Sequence, residues 1–216
     1  MESNISEREQ LDEIKKWWNA NGKAIITGLA LGLTALFGYR YWQDVQNSRA
    51  ESASINYQHF LVLAAAGPSE NAKATGQAII EAEGSSVYAR LTALQLARLA
   101  VEDDKLDEAK RHLNWIITNT PDSELSAVAR SRLAQILLTE GNAAGAQVEL
   151  DKIQKAGARA LFAETRGDVF AALGKSEEAK VMYTHAIEKI VELGGDASLL
   201  EIKRDSLGVA DITSAK

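Results

Sequence analysis

The chain has 216 residues, with 24 Lys and Arg against 30 Asp and Glu, and no cysteine. A net charge of −6 argues against nucleic acid as a partner, and the missing thiols exclude both a disulfide framework and a thiolate metal site. Only two prolines, in a chain rich in Ala, Leu, Glu and Lys, point to helices.

Residues 1–23 form a mixed-charge tail. Ser6-Glu7-Arg8-Glu9 reads as a capping box, after which Leu11, Ile14 and Trp18 fall on one helical face. The spacing predicts a short amphipathic helix lying on a membrane surface.

Residues 24–42, AIITGLALGLTALFGYRYW, are the only long apolar run and carry no charge before Arg40. At ~1.5 Å per residue they span roughly 28 Å, close to the ~30 Å hydrocarbon thickness of a bilayer. Trp17 and Trp18 stand before the run, and Tyr39, Tyr41 and Trp42 close it, as aromatic rings do at membrane-water boundaries. A buried core helix or a cleaved signal peptide is the alternative. A signal peptide, however, starts soon after a basic end and exits through small residues, and here the exit is the bulky GYRYWQD. Arg8, Lys15, Lys16 and Lys23 precede the span, whereas only Arg40 and Arg49 lie just beyond its apolar part, which predicts a cytoplasmic tail by a modest margin. Ala24, Gly28 and Gly32 are four apart, a small-residue stripe on which another membrane helix could pack, although glycine is frequent in such helices anyway.

Beyond Trp42 there are 19 basic and 25 acidic residues. Helical periodicity covers 45–66, 70–83, 86–102, 106–118, 124–140, 143–155, 158–173, 176–192 and about 197–206, joined by short polar or glycine-bearing turns. No segment alternates as a strand, so the expected fold is all α.

These helices repeat. Ala97 is followed by Ala109, Leu113 and Ile116; the same offsets give Ala134, Ala146, Leu150 and Ile153, and again Gly167, Ala179, Tyr183 and Ala186. Asp104, Gly141 and Gly174 stand five residues before the second small position, where a turn between paired helices belongs. The pattern resembles the tetratricopeptide repeat, a helix pair of about 34 residues. Repeats are expected over about 90–123, 127–160 and 160–193, with a degenerate one over about 53–86 in which Phe60 and Gly76 depart from the pattern, and a capping helix over about 197–206.

The whole chain then resembles a known family. Asn21-Gly22-Lys23 before the span, Gly38-Tyr39-Arg40-Tyr41-Trp42 closing it, and an alanine-rich repeat domain after it are similar to the ancillary subunits of the bacterial SecYEG translocon, the YfgM-type inner-membrane proteins. The resemblance implies a cytoplasmic tail (1–23), a transmembrane helix (24–42) and a periplasmic repeat domain (43–216). It implies work beside SecYEG with a PpiD-like periplasmic chaperone of the prolyl-isomerase type; unfolded client proteins are a further candidate partner, separate from the resemblance.

No cofactor, metal site or catalytic constellation is expected. His59, His112 and His185 lie in different proposed repeats. Gly174-Lys175-Ser176 lacks the earlier glycine of a phosphate loop, and reads as a turn with Ser176 as N-cap. The acidic run Glu102-Asp103-Asp104 with Asp107 and Glu108 lacks calcium-ligand spacing.

Binding remains. Carrying over the groove positions of tetratricopeptide arrays gives Leu91, Leu94, Arg98, Val101 and Glu102; Val128, Ser131, Gln135, Leu138 and Thr139; and Leu161, Glu164, Asp168, Ala171 and Ala172. This surface is largely apolar and suits an exposed hydrophobic segment or a partner's helix, unless the side chains are buried against the next helix or the C-terminal segment. The expected role is a membrane-anchored adaptor or chaperone at the translocon. The alternatives are a scaffold for another envelope-assembly complex and an enzyme with an unrecognised site.

Overall fold

The computed structural model describes residues 3–153 and 162–214. All regular structure among them is helical: α1 Ser3–Ala65, α2 Glu70–Glu83, α3 Val87–Glu102, α4 Leu106–Asn119, α5 Glu124–Thr139, α6 Ala143–Asp151, α7 Ala163–Ala172, α8 Ser176–Glu192 and α9 Ser198–Ser214. The chain divides into two units, Met1–Ser52 and Ala53–Lys216.

In the first unit the helix continues through Lys23 and Ala24, so the expected amphipathic tail is not a separate element. Its Leu11, Ile14 and Trp18 are exposed, as are Ile25, Leu29, Leu33 and Phe37 within the apolar run. The threonine hydroxyls of this run are satisfied locally. Thr27 and Thr34 donate their hydroxyls to the carbonyls of Lys23 and Ala30 at 2.8 Å, the form a hydroxyl takes where no water is at hand. Gly22 lies beneath Trp18, and a Cβ there would come within 3.1 Å of the indole. The helix from Leu11 to Ala65 is long and apolar enough to cross a membrane.

In the second unit, serine hydroxyls start three helices. Ser69, Ser86 and Ser123 accept from the amides of Ala72, Ala89 and Ser126 at 3.0–3.2 Å. Asn142 does the same for Gly145 at 2.9 Å. Ser176 is not a cap: it is the first residue of α8, and Lys175 takes the cap position without a side-chain bond. The reason is the preceding turn. Gly174 has φ 71°, its amide bonds Ala171 and that of Lys175 bonds Phe170, so the closing turn of α7 fixes Lys175 before the next helix begins. Asp104 and Lys105, Gly141 and Asn142 make the same pair of bonds, with φ 56° at Asp104 and 77° at Gly141.

The aligned small and large residues all face inward. Ala97, Ala109, Leu113, Ala134, Ala146, Leu150, Ala179 and Tyr183 are at most 3% exposed. In each pair a residue on the first helix faces one sixteen positions later on the second, and their sizes compensate. Ala97 goes with Leu113 and Ala134 with Leu150, while Gly167 goes with Tyr183, whose ring would stand 2.5 Å from any Cβ on Gly167. The degenerate repeat inverts the order. Phe60 fills the space, and Gly76 yields it, with the ring 2.8 Å from where a Cβ would be. Close packing tolerates either order because it depends on summed volume. Successive pairs share buried clusters, and α9 covers the last one with Leu200 and Leu207, joined by Ala197 just before it.

Helix α7 is described from Ala163, so the expected start at 158 lies outside the described residues. Helix α9 runs on to Ser214, eight residues past the expected end.

Candidate protein-binding groove

The first helices of the pairs, α3, α5 and α7, lie side by side, and the gaps between them differ. Between α3 and α5 a groove of about 540 Å³ opens, floored by apolar groups including Leu94, Val101, Leu106, Val128 and Ile136. Among the described residues α5 and α7 touch directly. Ser131 meets Thr165 at 3.3 Å in the buried interface, and Gln135 donates to Thr165 at 3.2 Å. Side-chain size differs between the two places. The repeat offsets make Ser131 the counterpart of Leu94 and Thr165 that of Arg132, so two small residues stand where the first gap has two large ones.

Of the residues expected to line the groove, Leu94, Arg98, Val101, Val128 and Gln135 do so, with Thr139. Leu91 and Leu138 do not, and the reason is geometric. A groove between two parallel helices is lined by opposite flanks of the two, so one set of positions cannot serve both. Leu91 is the counterpart of Val128, on the flank turned toward the preceding helix; Leu138 is the counterpart of Val101, turned toward the following one, and packs on the cluster of Leu150 and Val169. Leu161 lies outside the described residues.

Charged groups border the apolar floor. Arg98 pairs with Glu102, donates to Gln95 at 3.0 Å and reaches the carbonyl of Ala64 at 3.5 Å. Arg132 is exposed and donates to the amide oxygen of Gln135 at 3.3 Å. The sequence reading missed Arg132, although it stands four residues after Val128 on the same face. It also missed Leu106 and Leu113, which reach the floor from α4, a second helix of a pair.

The expected third-unit positions Glu164 and Asp168 are covered. Lys203 of α9 binds them at 3.0 and 2.9 Å, and the Tyr183 hydroxyl donates to Asp168 at 2.8 Å. Burial, then this carboxylate, raises the Tyr183 pKa well above the usual phenol range. Burial works against the Lys203 charge, yet Asp168 and Glu164 together raise its pKa.

Two carboxylates of the acidic run at the end of α3 are paired with lysines. Lys105 at 2.7 Å and Lys73 at 2.8 Å bring the Asp103 carboxyl down to about 2, and Asp107 pairs with Lys110. Among the described residues no three His, Asp or Glu side chains are grouped as metal ligands. Burial lowers the His112 pKa, with Glu108 3.9 Å away.

The apolar stripe of α1 is open. A Cβ on Gly28 or Gly32 would meet nothing within 4 Å.

Residues 15–209 match the tetratricopeptide repeat-like domain family. The chain is 31% identical over 191 residues to the ancillary SecYEG translocon subunit of Escherichia coli, covering 88% of this chain and 92% of that protein. It is 30% identical to the protein of the same name from Neisseria gonorrhoeae, over 96% and 100% of the two chains, and 28% identical to that of Haemophilus influenzae, over 86% and 91%. No solved structure matches. With repeat turns, paired small and large residues and an apolar N-terminal helix in one chain, these matches mean that the protein belongs to the family of ancillary SecYEG translocon subunits.

Proposed function

We propose that this chain is a single-pass inner-membrane protein that assembles with the SecYEG translocon, and that its repeat domain works in the periplasm as a binding module and not as an enzyme. The names of its relatives support the association, and the apolar run of α1 supports the anchor. The four-to-two excess of Lys and Arg before the span favours a cytoplasmic tail.

The observation that carries the binding role is the open gap between α3 and α5, beside a following gap that small residues close. An apolar groove with a charged border fits one face of an amphipathic segment, either from a secreted or membrane protein in transit or from a PpiD-like chaperone. On the membrane side, the Ala24, Gly28 and Gly32 stripe is the candidate contact for another helix.

Topology is tested by adding protease to spheroplasts. The repeat domain is degraded and the tail spared if the domain is periplasmic. Survival until the inner membrane is ruptured reverses the orientation. Loss of SecYEG subunits from the purified full-length protein in mild detergent, with the fold intact, contradicts the association.

A further inference from the structure

The groove is polarised along its length. Arg132 sits on α5 at the position equivalent to Gln95 on α3, and Asp104 lies nine residues past that level, at the turn that ends α3. At ~1.5 Å per residue the two charges are about 13 Å apart along the groove axis. Neither has an ion-pair partner among the described residues, whereas Arg98, on the same groove, is paired with Glu102. The floor between them is apolar, made by Leu94, Val101, Leu106 and Val128.

We infer that the groove takes an amphipathic helix of a partner protein carrying a carboxylate and an amine or guanidinium about eight residues apart, a rise of about 12 Å that keeps both at the edges of one face, the first against Arg132 and the second against Asp104, with its apolar side chains on the floor between. This rests on the reading of the groove as a binding surface and adds which segments it selects. Helices of about 10 Å diameter lay only one stripe into such a cleft, so the apolar stripe supplies contact area and the two flanking charges fix register and choice of partner. A segment with two basic flanks meets Arg132 unfavourably, and one with two acidic flanks meets Asp104 unfavourably.

The probes are synthetic helices of about 18 residues with one common leucine stripe, flanked by Glu and Lys, by Lys and Lys, or by Glu and Glu about eight residues apart. Binding to the full chain in nanodiscs is read by fluorescence anisotropy at low salt. The Glu and Lys peptide is expected to bind about five-fold more tightly than either like-charged peptide, with the preference fading at high salt as exposed ion pairs do. Arg132→Glu should shift the preference to the Lys and Lys peptide, and Arg132→Glu with Asp104→Lys should restore it to the mixed one. Arg132 is exposed, so an unchanged melting curve accompanies the first variant. Equal binding of all three peptides, abolished by Val101→Asp, overturns the charge selection and leaves the groove reading standing. A preference that survives Arg132→Glu also overturns it. If none of the peptides binds, both the selection and the groove reading fall.

Discussion

Asp104 holds a backbone position, φ 56°, that its counterparts Gly141 and Gly174 adopt without a side chain. Left-handed conformation is costly for residues with a Cβ, less so for Asp and Asn. Asp104→Gly is therefore expected to leave stability unchanged or raise it by up to about 1 kcal/mol, and Gly141→Ala to lower it by about 1 kcal/mol or more. Thermal melts of the two variants check this, and equal shifts contradict the reading of the turns as equivalent. The other residue with a distinct signature is Tyr183, which shares Asp168 with Lys203 beneath α9. Both pKa values are raised in the folded chain, so the stability they supply is full below their ordinary values near 10 and is lost as pH rises above them. The melting temperature should fall as pH climbs past about 10, and Lys203→Met should lower it at pH 8 while flattening the alkaline decline. A decline as steep in the variant as in the original chain would show that the contact between α9 and α7 does not hold the end of the domain.

At the scale of the element, the helix pair is defined by one compensating contact. Ala146 is fully buried at the crossing of α5 and α6, whereas Ala143, at the first turn of α6, is half-buried. Ala146→Leu is expected to cost about 1–3 kcal/mol through overpacking, and Ala143→Leu much less. Equal melting temperatures for the two would refute the repeat alignment in that pair. The alignment was legible in the sequence because spacing alone carries it: small residues recur at fixed offsets, and the turns fall five residues before the second of them. The swap of Phe60 for a small residue was visible only as a departure, since compensation with Gly76 requires knowing that the two face each other. The groove was legible in part. Positions on a single helix follow from its period, which gave Leu94, Val101 and Val128; which flank faces which neighbour does not, and that misplaced Leu91 and Leu138. Leu106 and Leu113 belong to a helix that the repeat template assigns to the other face, so nothing in the spacing singled them out.

In the molecule as a whole, an apolar N-terminal helix and a stack of helix pairs occur in one chain, and a gap opens between α3 and α5. Leu94 and Arg132 line the gap between α3 and α5, whereas their small counterparts Ser131 and Thr165 meet where α5 and α7 touch. If function resides in that gap, its exposed side chains touch another protein in the cell. The measurement that tests this most directly is site-specific photocrosslinking in native membranes, with a photoreactive amino acid at Val101 or Val128 in the groove and at Val148 or Val181, both exposed elsewhere on the domain. The account predicts discrete protein adducts from the two groove positions and none of the same size from the other two. Groove positions that yield no adduct, or the same adducts as Val148 and Val181, would contradict it.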